Sequence, residues 1–116
     1  MQSLNLITDA RYTDDRAEIM HAVKTDQLAV DGVFLKANQS TGWTKNPDGD
    51  RVYICLQGSG ELVLETAAAG NELRIALSPG AVALAPRGTF HELVGGAKGM
   101  VSSAMSKFPV RVIERG

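Results

Sequence analysis

The stretch GAVALAPRGTFHEL, residues 80–93, sets Gly80, Pro86, Gly88 and His91 at fixed intervals. Proline presets its own φ and glycine accepts a positive one, so Pro79-Gly80 suits the two central positions of a type II turn. A second reversal is expected at Pro86–Gly88. The apolar run AVALA therefore lies between two turns, and His91 is delivered at a fixed offset onto the run that follows, TFHELV.

Working outward from this segment, β-prone runs separated by turn residues recur at close spacing from residue 27 onward. QLAVDGVFLKA is the first. RVYICLQ and ELVLET flank Gly58-Ser59-Gly60, which reads as the tip of a β-hairpin. LRIAL follows Gly70-Asn71, and beyond TFHELV the glycine-rich GGAKG reads as a loop before MVSSAMSKF, with VRVIE continuing it. About seven or eight strands of this kind indicate an all-β sandwich or barrel. LNLI looks extended. DDRAEIMHAV has the spacing of a helical turn or two, but no helix is assigned, and residues 1–26 read as an arm or an edge strand.

Composition narrows the function classes. The chain has 116 residues, enough for a single domain, with 44% hydrophobic and 22% charged residues. Twelve Lys and Arg stand against thirteen Asp and Glu with no basic stripe, so no nucleic-acid partner is expected. No apolar run approaches the roughly 20 residues that span a bilayer. No basic segment followed by an apolar core opens the chain, which points to a cytoplasmic protein without membrane partners. The single Cys55 leaves no internal disulfide and no zinc site built on paired cysteines. Asn38-Gln39-Ser40 fits a glycosylation sequon by chance, given the absence of a secretion signal.

The spacing of Gly80, Pro86, Gly88 and His91 resembles the second motif of the cupin superfamily: glycine, five residues, proline, one residue, glycine, two residues, histidine. The resemblance implies a jelly-roll β-barrel, a double-stranded β-helix, as one domain over residues 1–116. It further implies that His91 faces the barrel interior near the mouth. In metal-binding cupins this histidine is one ligand, and the first motif supplies two histidines and a glutamate. Counted back from Gly58, the glutamate position is held here by Arg51, and Thr44-Lys45-Asn46-Pro47 stand where the histidines belong. One histidine holds a transition metal poorly, and an arginine beside it repels a cation. The resemblance therefore carries the barrel without its ligands, and no cofactor is expected. A shifted divalent-metal set of Asp48, Asp50, Cys55 and His91 is the alternative, though strand parity sets Asp50 and Cys55 on opposite faces.

Alternation places Arg51, Tyr53, Cys55 and Gln57 on one face and Val52, Ile54 and Leu56 on the other. The expected ligand pocket comprises His91, Arg51, Tyr53, Cys55 and Trp43. His91 serves there as a hydrogen-bonding group and is the one candidate for a catalytic base. Arg51 either clamps a carboxylate or phosphate or pairs with Glu61, Glu65 or Glu92. Cys55 packs as a small hydrophobe rather than as a thiolate partner of His91. Tyr53 lines the pocket or fills the core, and Trp43 forms a wall or caps one end of the barrel. Val52, Ile54 and Leu56 with Phe90, Glu92 and Val94 are expected to form an outer surface suited to a homodimer, or to pack beneath the N-terminal segment. GGAKG lacks the Lys-Ser/Thr ending of a phosphate loop, and Ser59 lacks the strand-to-helix elbow of a nucleophile.

These readings point to a small cupin that binds an organic ligand, anionic or sugar-like, without a tightly bound metal. The alternative is an enzyme. It would be either an oxygenase-type cupin using the shifted ligands or a metal-free isomerase or epimerase using His91.

Overall fold

Alternation decides the elements. In RVYICLQ, Tyr53 and Cys55 are buried while Val52, Ile54 and Leu56 are half-covered, which is the parity that the sequence predicts. The computed structural model describes residues 3–66, 70–107 and 110–115. Its strands are β1 (Glu18–Lys24), β2 (Leu28–Leu35), β3 (Thr44–Lys45), β4 (Arg51–Glu65), β5 (Glu72–Leu77), β6 (Val82–Ala85), β7 (His91–Lys107) and β8 (Ile113–Glu114). Among the described residues no helix is long and apolar enough to cross a membrane.

Two long strands organise the rest. β4 and β7 pair antiparallel from Arg51↔Ser106 to Leu64↔His91. The first part of β4 also pairs β6, and its second part pairs β5. Residues 100–107 of β7 carry β2 and then β1 on their other side, while His91, at the opposite end of β7, carries β3 and then β8. The sheet thus curls into two facing halves that share β4 and β7, a jelly-roll barrel. Its core joins Val33, Leu35, Tyr53 and Cys55 from one half to Leu62, Leu64 and Leu93 from the other.

The turns around the opening segment form as expected. Ala81 N donates to Ser78 O at 2.9 Å with Gly80 at φ 92°, and Thr89 N donates to Pro86 O at 3.1 Å with Gly88 at φ 76°. Residues 1–26 contain an edge strand, β1, on β2. LNLI is not extended throughout: Asn5 Oδ1 accepts from Ile7 N and Thr8 N and bends the chain into a turn.

Gly58-Ser59-Gly60 is not a hairpin tip, because β4 runs straight through it. A Cβ on Gly58 would lie 2.2 Å from Gly99 O, and one on Gly60 2.2 Å from Val94 O. These glycines permit backbones to touch where the sheet folds over, rather than reversing the chain. GGAKG likewise lies within β7: between the pairs Gly58↔Met100 and Gly60↔Gly95, residues 96–99 bulge opposite Ser59 alone. The crossover also divides the expected outer surface. Val52 and Ile54 lie in the half that contains β6, with Val82 and Leu84 exposed beside them. Glu92 and Val94 lie in the other half, bound or bridged to Ser40. The N-terminal segment covers part of the first half, where Tyr12 packs edge-on against Phe34 at 6.0 Å.

The glycine corner yields a stability prediction. Gly60→Ala should cost more than about 3 kcal/mol, because a backbone carbonyl blocks the new methyl group. Gly42→Ala, at φ 78° with nothing within 4 Å of the added Cβ, should cost only about 1–2 kcal/mol. Urea unfolding of the two variants checks the order.

Candidate functional site

The inward positions of β2 are Ala29, Asp31, Val33 and Leu35, all buried, so a carboxylate sits in an otherwise apolar row. Arg51 faces inward on β4, across β7 from β2. The β7 residues between them are Ser106, paired with both Ala29 and Arg51, and Ala104, paired with both Asp31 and Tyr53. These small side chains leave the guanidinium room to reach over β7. Arg51 Nη2 donates to Asp31 Oδ2 at 3.3 Å, with the two side chains only 11% and 10% exposed. His21, opposite Asp31 on β1, donates from Nδ1 to Asp31 Oδ1 at 2.9 Å. A carboxylate withdrawn from water requires such partners on both oxygens.

These three residues line a cavity of about 560 Å³ at the barrel mouth. Ile19, Val23 and Ala29 supply apolar wall from the strands, and Val110 and Val112 supply it from the C-terminal stretch. Lys24 adds a further cation to the rim. Arg51 Nε and Ser106 Oγ are buried and have no hydrogen-bond partner among the described residues. A buried polar group left without a partner costs about 1–3 kcal/mol.

Behind Arg51 the barrel is filled. Its guanidinium lies 5.8 Å from the centre of the Tyr53 ring, and Tyr53 Oη is 2.7 Å from His91 Nε2. His91 Nδ1 donates to Thr89 O at 3.0 Å, which leaves Nε2 to accept the phenol proton. Burial pushes the His91 imidazole below its ordinary pKa, the Thr89 carbonyl opposes this, and nearby Arg51 reinforces it. Burial likewise raises the Tyr53 phenol, Arg51 opposing and Asp31 assisting, so the hydroxyl stays protonated and donates.

The family's metal does not fit here. The His91 nitrogen that a cation would need already accepts from Tyr53, and Arg51 stands at the glutamate position. The shifted set is not assembled either. Asp48 binds Arg111, Asp50 accepts from Arg87 N, and the Cys55 thiol points to the carbonyls of Gln57 and Gly58 at 3.8 Å. Among the described residues no three His, Cys, Asp or Glu side chains converge to hold an ion.

The barrel has counterparts among solved structures. An RmlC-like cupin protein from Desulfovibrio desulfuricans is 25% identical with a TM-score of 0.75, over 91% of this chain and 96% of that one. An uncharacterized protein with a double-stranded β-helix domain from Klebsiella pneumoniae is 14% identical with a TM-score of 0.83, over 97% of this chain and 96% of that one. The chain is a cupin by fold. Oxalate oxidase in complex with the substrate analogue glycolate is 10% identical to this chain with a TM-score of 0.80, over 96% of this chain and 62% of that one. No family model matches the sequence, and no curated protein does.

Of the residues expected to form the ligand pocket, Arg51 alone lines the mouth cavity. His91 and Tyr53 are bonded to each other beneath it, and Cys55 is buried, with its thiol raised by burial. Trp43 packs elsewhere, under the Arg115 guanidinium at 4.4 Å. Arg51 pairs with none of Glu61, Glu65 or Glu92. The sequence alone does not single out the pairing of Asp31 with His21. The signal for Asp31 was a lone acid in LAVDGVFL at the parity of Val33 and Leu35; nothing in the sequence singled out His21.

Tyr53→Phe leaves the buried His91 Nε2 without a donor and should cost about 1–3 kcal/mol in urea unfolding. His91 also sets a pH dependence. Its pKa is depressed in the fold, so its unfolded form binds protons more readily. Its contribution is complete above the ordinary value of 6.5 and is lost as pH falls below that toward the depressed value. His91→Gln should therefore flatten the decline in stability below pH 6.5, measured as the difference between wild-type and variant unfolding midpoints.

Proposed function

We propose that this cupin binds a small organic anion, a carboxylate with a short apolar body, in the barrel mouth. The observation that carries the reading is the Arg51 guanidinium. Asp31 holds it at one nitrogen, and the Arg51 side chain lines the cavity. A planar guanidinium matches a carboxylate with paired hydrogen bonds, and it does so more strongly when shielded from water. The valines and isoleucine of the cavity receive the apolar part of the ligand. The glycolate complex of oxalate oxidase supports the same class, since there a small hydroxy acid occupies a protein of this fold. His91 supports the enzymatic alternative less well, because both its nitrogens are engaged within the core.

Calorimetry with 2-oxobutanoate, butanoate and benzoate, each beside its neutral amide, tests the proposal. Acids should bind and their amides should bind at least about tenfold more weakly. Arg51→Gln should weaken acid binding by about 10–100-fold. Equal binding of acids and amides, or no binding of any acid, overturns the reading.

A further inference from the structure

The mouth cavity holds a second element that simple binding does not require. His21 donates Nδ1–H to the buried Asp31, which orients the ring so that its neutral form carries the lone pair on Nε2. The His21 side chain is 83% exposed and lines the same cavity as Arg51. The other charged groups facing it are Asp31 on β2, Arg51 on β4 and Lys24 on its own strand; the C-terminal stretch presents Val110 and Val112. Asp31 therefore joins an oriented imidazole to an anion anchor, one through each carboxylate oxygen.

We infer that His21 is a general base that moves a proton on a carboxylate substrate held by Arg51, with Asp31 as its positioning residue. The inference rests on the proposed carboxylate site. The substrate class that suits it is a small 2-oxo acid, whose C3–H is acidified by the adjacent carbonyl. His21 Nε2 takes the C3 proton, the C–H electron pair moves into the carbonyl to give an enolate, and that oxygen lies beside the carboxylate that Arg51 binds. Asp31 stabilises the imidazolium formed. Return of the proton from Nε2 to the enolate oxygen completes a keto–enol tautomerisation, and its return to C3 regenerates the acid with hydrogen exchange; neither needs an oxidant, reductant or second substrate.

The test is exchange of the C3 protons of 2-oxobutanoate in deuterated water, followed by proton NMR at saturating acid. The wild type should exceed a blank of buffer and equimolar free imidazole by about 100-fold. His21→Gln, a change at an exposed side chain, should return the rate to the blank at saturation, and added imidazole should restore exchange in His21→Ala. Binding of 2-oxobutanoate by calorimetry with exchange no faster than the blank, or exchange undiminished in His21→Gln, overturns the inference and leaves the carboxylate site standing. Absence of binding by any acid of the panel overturns both.

Discussion

Everything in this barrel hangs on the continuous pairing of β4 with β7. A sheet of this kind must fold over on itself to enclose a core, and at the fold the backbones of crossing strands come within contact distance. Gly58 and Gly60 on β4 meet the carbonyls of Gly99 and Val94, and Gly99 meets that of Leu35. Any side chain there would prop the layers apart. The ladder then fixes, by parity, which residues of β2, β4 and β7 look inward.

That parity creates an electrostatic problem and its solution together. It turns Asp31 into an apolar interior, where an unpaired carboxylate would be intolerable. It also turns Arg51 inward across two small β7 residues, so the charges meet over Ala104 and Ser106. The pair closes the upper boundary of the core. Below it the Tyr53–His91 hydrogen bond occupies the interior, and the Asp31–Arg51 pair itself faces the cavity above.

The barrel was legible because its decisive signal is local. Pro79-Gly80, Pro86 and Gly88 are turn residues whose conformations depend on their own bonds, and each forms the turn expected of it. The glycines at 58, 60, 95, 96 and 99 misled for the opposite reason. Glycine marks both reversals and close approaches, and only the tertiary crossing distinguishes them. The site was half legible. Spacing and alternation turned Arg51 inward, but its partner lies 20 positions away on β2, across a strand whose place between the two the sequence does not reveal. His21 was invisible for a similar reason, since its significance depends wholly on standing opposite Asp31.

The two walls of the mouth differ in what holds them. One is built on β1, β2 and β4 and shares its residues with the ladder that defines the fold. The other, Val110 and Val112, comes from the C-terminal stretch, anchored by the two-residue β8 and by Arg111 on the surface carboxylate of Asp48. Changes in side-chain volume on this second wall reshape the cavity without touching the core. The scaffold thus separates what must stay fixed from what is free to drift, and the cavity's shape can change at two valines while the barrel remains as it is.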